Sequence, residues 1–103
     1  MTSTRKLFGL ALLAAVCWSA SALADNSPQT RAWAATCATC HGTEGHASPG
    51  IPPIAGLEAT RLFTLLKEFK EDQRPATVMH QHAKGYTDQE LQRLAYYFAR
   101  HKP

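Results

Sequence analysis

The sequence predicts an all-α fold of three main helices plus a short methionine-bearing helix or turn. Three observations predict it. Leu62, Leu65, Leu66 and Phe69 fall at i, i+3, i+4 and i+7, and Leu91, Leu94, Ala95 and Phe98 repeat that spacing. Thr87 and Glu90 form a capping box, with Tyr86 and Leu91 as the hydrophobic staple around it. No stretch alternates apolar and polar residues as a half-buried strand would, and no repeat or low-complexity tract breaks the 103 residues, so one domain is expected.

Residues 1–24 are expected to be a cleaved export signal rather than part of that domain. Arg5 and Lys6 open it, Leu7 to Val16 is apolar, and Ala22-Leu23-Ala24 supplies small residues before Asp25. The apolar run is shorter than the roughly 20 residues a membrane span needs, and it decays into Cys17-Trp18-Ser19, which argues against a retained anchor. Val16 is β-branched where a lipoprotein signal wants a small residue before its cysteine. The domain is then 25–103, placed in the periplasm without stable membrane insertion. It keeps all 8 acidic residues and loses Arg5 and Lys6, so its formal charge falls from +3 to +1. That balance offers no footprint for nucleic acid or an anionic membrane. A domain of this size is marginal on its own core and needs a staple.

The first helix is expected from Pro28 to about Ala38. Ser27 or Asn26 can cap it, and Pro28 suits the first helical position. Trp33 lies one turn before Cys37 on the same face and reads as core. The helix leads into Cys37-Ala38-Thr39-Cys40-His41, the spacing that attaches a c-type haem. Two thiols about one turn apart can each form a thioether to one vinyl group of a single porphyrin, and His41 is carried beneath the iron as proximal ligand. Three other uses fit less well. A thioredoxin-type dithiol wants a strand–helix–strand context. A zinc site wants two further spaced ligands, for which only His46, His80 and His82 stand ready. A Cys37–Cys40 disulfide leaves His41 without a task. With haem c on Cys37 and Cys40, and Cys17 leaving with the signal, no thiol remains for a disulfide.

Residues 42–56 are rich in glycine and proline and read as loop. Gly42 lets the chain turn away beneath the haem, and the loop returns Pro52, Ile51 and Ile54 to the His41 side. The Pro52 carbonyl is expected to accept the second ring N–H of His41 and so fix the ring. His46 reads as solvated. The middle helix should run from about Glu58 to Asp72, with a poorly marked N-cap and a charged outer face, until Pro75 stops it. Met79 follows, far enough along the chain to reach the other face of the haem. A thioether there completes a His/Met pair and leaves no open iron site. On spacing alone, a Met79 that only fills the core and a bis-histidine iron using His80 or His82 stay open. The last helix runs to about His101, and the small Ala95 would admit the helix carrying Ala32, Trp33 and Ala35. Arg74 is the expected partner of a haem propionate, and Lys84 is placed at a docking rim.

With these residues in hand, residues 25–103 resemble the class I c-type cytochromes. The shared elements are Trp33 four residues before the first cysteine, Cys37-x-x-Cys40-His41-Gly42, Pro52-x-Ile54-Ala55-Gly56, the Met79 segment, and Leu94-Ala95-x-Tyr97 in the last helix. Phe69-Lys70, then Arg74-Pro75-Ala76-Thr77-Val78-Met79 and Ala83-Lys84-Gly85-Tyr86-Thr87-Asp88, are similar to the cytochrome subunit of flavocytochrome c sulfide dehydrogenase. The resemblance implies a small class I cytochrome c fold around one haem, with Met79 as the distal ligand opposite His41. The sequence departs from such relatives at Asp72, where they often carry Gly, at Leu57, often Gln, and at His80, often small. Two functions compete. One is a non-catalytic carrier of single electrons, accepting them from a sulfide-oxidising flavoprotein or working as a free periplasmic shuttle. The other is a haem peroxidase or gas sensor, which needs an open distal position, so Met79 is the discriminator.

Overall fold

The computed structural model describes residues 26–103, so the expected signal and its cleavage point lie outside the described residues. Helix α1 spans Pro28–His41, α2 Ala59–Lys70, α3 Met79–Lys84 and α4 Asp88–Ala99, with a short 3-10 turn at Thr43–Gly45. The extended pairing among the described residues is one isolated bridge between Ser48 and Ile51. The all-α architecture with its short Met79 helix is therefore present.

Helices start where a side chain satisfies amides that the first turn leaves free. Ser27 Oγ accepts from the Thr30 amide at 3.2 Å, ahead of Pro28. At α4 both halves of the capping box form: Thr87 accepts from the Glu90 amide at 3.2 Å, and Glu90 from the Thr87 amide at 2.9 Å. Glu58 caps α2, its two carboxylate oxygens accepting from Thr60 and Arg61 at 2.9 Å each. These bonds hold its carboxyl below the ordinary value. Glutamate is outside the preferred N-cap set, which is why that start is faint in the sequence. The ends differ from expectation by a few residues. Helix α1 continues through the haem motif to His41, where Gly42 turns out at φ +85°. Helices α2 and α4 stop short of Asp72 and His101, and Asp72 reverses the chain at φ +57°.

Leu91, Leu94, Ala95 and Phe98 of α4 pack with Leu62 of α2 and Ala34 of α1. Ala95 is wholly buried, which lets α1 come close to α4. The face that α1 turns inward is Thr30 and Ala34 rather than the expected Ala32 and Ala35, both of which are exposed. Thr30, Ala34, Cys37 and His41 lie along one stripe at helical spacing, so the face that packs also carries the first cysteine and the histidine inward. Trp33 is half-buried beside it, edge-on to Tyr86 at 6.1 Å between ring centres. On the outer surface, Lys67 and Lys70 of α2 reach Asp88 at 2.9 and 3.0 Å, and Lys70 also donates to the Tyr86 carbonyl at 2.8 Å. Such exposed pairs add little individually.

The α4 cap carries a measurable share of stability. Thr87→Ala is expected to cost about 1 kcal/mol, seen as a lower urea midpoint with an unchanged slope.

Candidate haem-binding site

The apolar stripe of α2 is divided. Leu62 enters the core, but Leu65, Leu66 and Phe69 are only half-buried because they face a cavity of about 500 Å³. That volume lies within the range of roughly 300–1,000 Å³ typical of ligand sites. The same cavity is lined by Cys37, Cys40 and His41 from α1, by the Gly50–Ile54 loop, by the 74–79 segment with His82, and by Tyr86, Leu94 and Phe98. All six residues expected at the site, Cys37, Cys40, His41, Pro52, Arg74 and Met79, line it.

His41 is 9% exposed, and its Nδ1 lies 2.7 Å from the Pro52 carbonyl oxygen. A carbonyl only accepts, so a ring proton sits on Nδ1, and the tautomer this selects has its lone pair on Nε2. The loop that brings Pro52 there is built from turns. The Ala47 amide donates to the His41 carbonyl at 2.7 Å, and the Ile54 and Ala55 amides share the Gly45 carbonyl at 2.8 and 2.9 Å. Gly42 is required by both backbone and space: at φ +85°, a Cβ would stand 2.4 Å from the Ala47 oxygen. Gly45, at φ +81°, lies so close beneath Phe98 and Ile54 that a Cβ would meet them at 2.9 and 2.7 Å.

Cys37 and Cys40 form no disulfide, the first being half-buried and the second exposed. Burial pushes the Cys37 thiol up to about 11, so it is protonated at neutral pH and unlike the activated thiolate of a redox dithiol. Among the described residues no three His, Cys, Asp or Glu side chains gather as a metal site, which leaves the zinc reading without its ligand set. Met79 opens α3 and is half-buried against the cavity. His82, one turn on, lines the same space, whereas His80 is not among its lining and has an unpartnered, buried Nδ1.

The two cations expected at the rim of the site have protein partners. Arg74 Nε and Nη2 lie 2.9 and 2.8 Å from Glu68, with the guanidinium 5.8 Å above the Phe69 ring. Lys84 Nζ lies 2.8 and 2.7 Å from the Asp72 carboxylate oxygens. His46 is exposed and bonds through Nε2 to the Lys102 carbonyl oxygen at 2.7 Å. Sequence reading had assigned Tyr86 to a helix staple and Leu94 and Phe98 to the core, and missed that all three also line the site. No signal distinguishes the two uses, because one apolar stripe serves both.

The donor set is two thiols at helical spacing, one oriented imidazole nitrogen, one thioether and the His82 imidazole, in walls that are otherwise mostly apolar. These residues fit a flat, apolar macrocycle held at its edge and ligated at its metal.

Comparison with known proteins agrees. A family model described as cytochrome c oxidase, cbb3-type, subunit III matches residues 24–98. The chain is 48% identical over 63 residues to the cytochrome subunit of sulfide dehydrogenase of Chlorobaculum tepidum, covering 61% of this chain and 57% of that protein. It is 34% identical over 101 residues to the thiosulfate dehydrogenase electron acceptor of Thiomonas intermedia, covering 96% of this chain and 45% of that one. It is also 34% identical over 68 residues to cytochrome c-554(548) of Halomonas halodenitrificans, covering 62% of this chain and 82% of the relative. The chain thus spans about half the length of the first two relatives.

Gly42→Ala tests how the loop serves His41. It is expected to destabilise the protein by about 2 kcal/mol or more, through left-handed strain and collision with Ala47, and a denaturant midpoint equal to wild type would contradict this.

Proposed function

The chain belongs to the class I c-type cytochromes, and on that premise we propose that it is a periplasmic carrier of single electrons, the subunit that accepts them from a sulfide-oxidising flavoprotein. The observation that carries the reading is one apolar cavity lined both by His41, oriented through Pro52, and by the Met79 thioether. A nitrogen and a sulfur ligand together leave no iron position open, which suits a carrier and not a peroxidase or gas sensor.

Proteins of this family carry a covalently bound haem c and act as electron carriers rather than catalysts. When bound, the haem supplies an iron that exchanges one electron at a time. In the proposed assignment Cys37 and Cys40 would hold it through thioethers, and His41 and Met79 would ligate its iron. Pro52 keeps the His41 ring in one orientation through the Nδ1–H hydrogen bond to its carbonyl. Leu65, Leu66 and Phe69 keep water out and the local dielectric low. Arg74, at the rim and steadied by Glu68, is the proposed charge partner of a propionate.

The proposal includes residues 1–24 as a cleaved signal and 25–103 as the working domain. Among the described residues no helix is long and apolar enough to cross a membrane. The name of the Chlorobaculum relative supports a dedicated subunit. The match to cytochrome c-554(548), most of whose length is covered, supports a free shuttle as second reading.

Two measurements test this. Reduced wild-type protein is expected to resist carbon monoxide at neutral pH, while Met79→Ala binds it and loses the ferric absorption band near the red end that marks methionine on iron; ready binding by wild type would remove the carrier reading. Isolated from periplasm, the chain is expected to begin at Asp25, to carry the mass of one haem, and to bring a flavoprotein with it. Recovery of the haem protein alone would favour the shuttle.

A further inference from the structure

Residues 71–78, which lead from α2 to Met79, are exposed throughout. Val78, next to Met79, is 53% exposed, unusual for a large apolar side chain in this chain. Turn hydrogen bonds fall at the edges of the stretch: the Gln73 amide reaches Glu68 at 2.8 Å, and the Gln81 amide reaches Val78 at 3.0 Å. Residues 74–78 line the cavity, and the helix they lead into is seated on α2 through Ala83, which is 1% exposed. Two side-chain links also span the segment. Arg74, inside the segment, is tied back to Glu68 of α2. Lys84, the last residue of α3, closes on Asp72 just beyond the end of α2 through both carboxylate oxygens, at 2.8 and 2.7 Å.

Asp72 stands at φ +57°, a left-handed conformation that glycine adopts without cost and other residues adopt less readily. A carboxylate therefore sits where the backbone does not favour a side chain, and its bond to Lys84 is the main cause that holds it below the ordinary aspartate value. We propose that the Asp72–Lys84 pair is the latch that keeps the Met79 sulfur in the cavity, making Asp72 and Lys84 positioning residues for the distal ligand. This inference rests on the reading of Met79 as that ligand.

An exposed pair adds little to global stability. The competing state here is not the unfolded chain but a local opening of residues 73–84, in which α3 with its buried Ala83 lifts off α2 and carries Met79 away while α1, α2 and α4 stay packed. Opening separates the two ends that the pair joins, so the whole strength of the pair bears on that one equilibrium. The Arg74–Glu68 link restrains the near half of the segment, and the latch restrains the half that carries Met79.

The test uses the haem-loaded protein with Asp72→Asn, Lys84→Gln and the double variant. Asparagine tolerates the left-handed backbone but lacks the charge, so strain is not what changes. Carbon monoxide uptake by the reduced form and loss of the ferric near-red band on warming report opening, and far-ultraviolet circular dichroism reports global unfolding. Each single variant is expected to raise the open population about two- to fivefold at low salt, with global unfolding unmoved. The double variant should go no further than the worse single one, because the pair is one interaction. About 1 M salt should erase the difference by screening. Asp72→Gly, which suits the backbone better, should open the site all the same. Unchanged uptake in both single variants, additive effects in the double, or a closed site in Asp72→Gly would overturn the latch. Wild-type protein that takes up carbon monoxide as readily as Met79→Ala would instead overturn the ligand reading beneath it, so the two failures are distinct.

Discussion

The 2.7 Å bond between His41 Nδ1 and the Pro52 carbonyl is the constraint around which the chain is folded. It fixes the tautomer, and with it the nitrogen left free for a metal. To make it, the backbone must leave the end of α1, reverse, and return within eleven residues. Gly42 and Gly45 permit that reversal at positive φ, and each is hemmed in by neighbouring atoms on the side where a Cβ would project. Phe98 of α4 packs directly over Gly45, so the packing of the last helix and the orientation of the histidine are mechanically one problem.

The second constraint is the shortage of apolar surface in a domain this small. Leu62, Leu94 and Phe98 each have two tasks, filling the core among α1, α2 and α4 and walling the cavity. Leu66 touches the core from its edge, and Leu65 and Phe69 turn to the cavity. A bound macrocycle would give those side chains the burial that the polypeptide alone does not. Covalent attachment and core formation are then parts of a single stabilisation, which is how small scaffolds escape their size limit.

Much of this could be read from residue order. The α4 start was legible because the capping box is a local hydrogen-bond pattern, independent of tertiary context. The α2 and α4 stripes were legible by period, and Cys37-x-x-Cys40-His41 by the geometry of one helical turn. Even the Pro52 carbonyl could be anticipated, since a ligating histidine needs an acceptor and the loop had to bring one back. What stayed hidden depends on rotation and partner choice. The inward face of α1 was misplaced at Ala32 and Ala35 because alanines on every side give that helix almost no amphipathic contrast. Glu58 as a cap was overlooked because its type is uncommon in that role. The pairing of Arg74 with Glu68 and of Lys84 with Asp72 could not be foreseen, since a charged side chain on a mixed surface has many partners within reach, and only the turn at Asp72 selects among them.

The two sides of the site are held by unlike means. On the histidine side the anchors are backbone hydrogen bonds, close glycine contacts and a helix rooted in the core. On the methionine side they are an exposed loop, a six-residue helix packed on α2 through the single buried Ala83, and two solvent-facing ion pairs. Local opening free energies follow such differences, being low where backbone is exposed and buried contacts are few. The distal side is therefore where this fold yields first. A weak thioether needs its approach to the metal arranged by the protein, and in the proposed latch part of that arrangement lies in side chains that salt and single substitutions can reach. In the proposed assignment the chain would hold His41 from its core and Met79 in part through side chains at its surface.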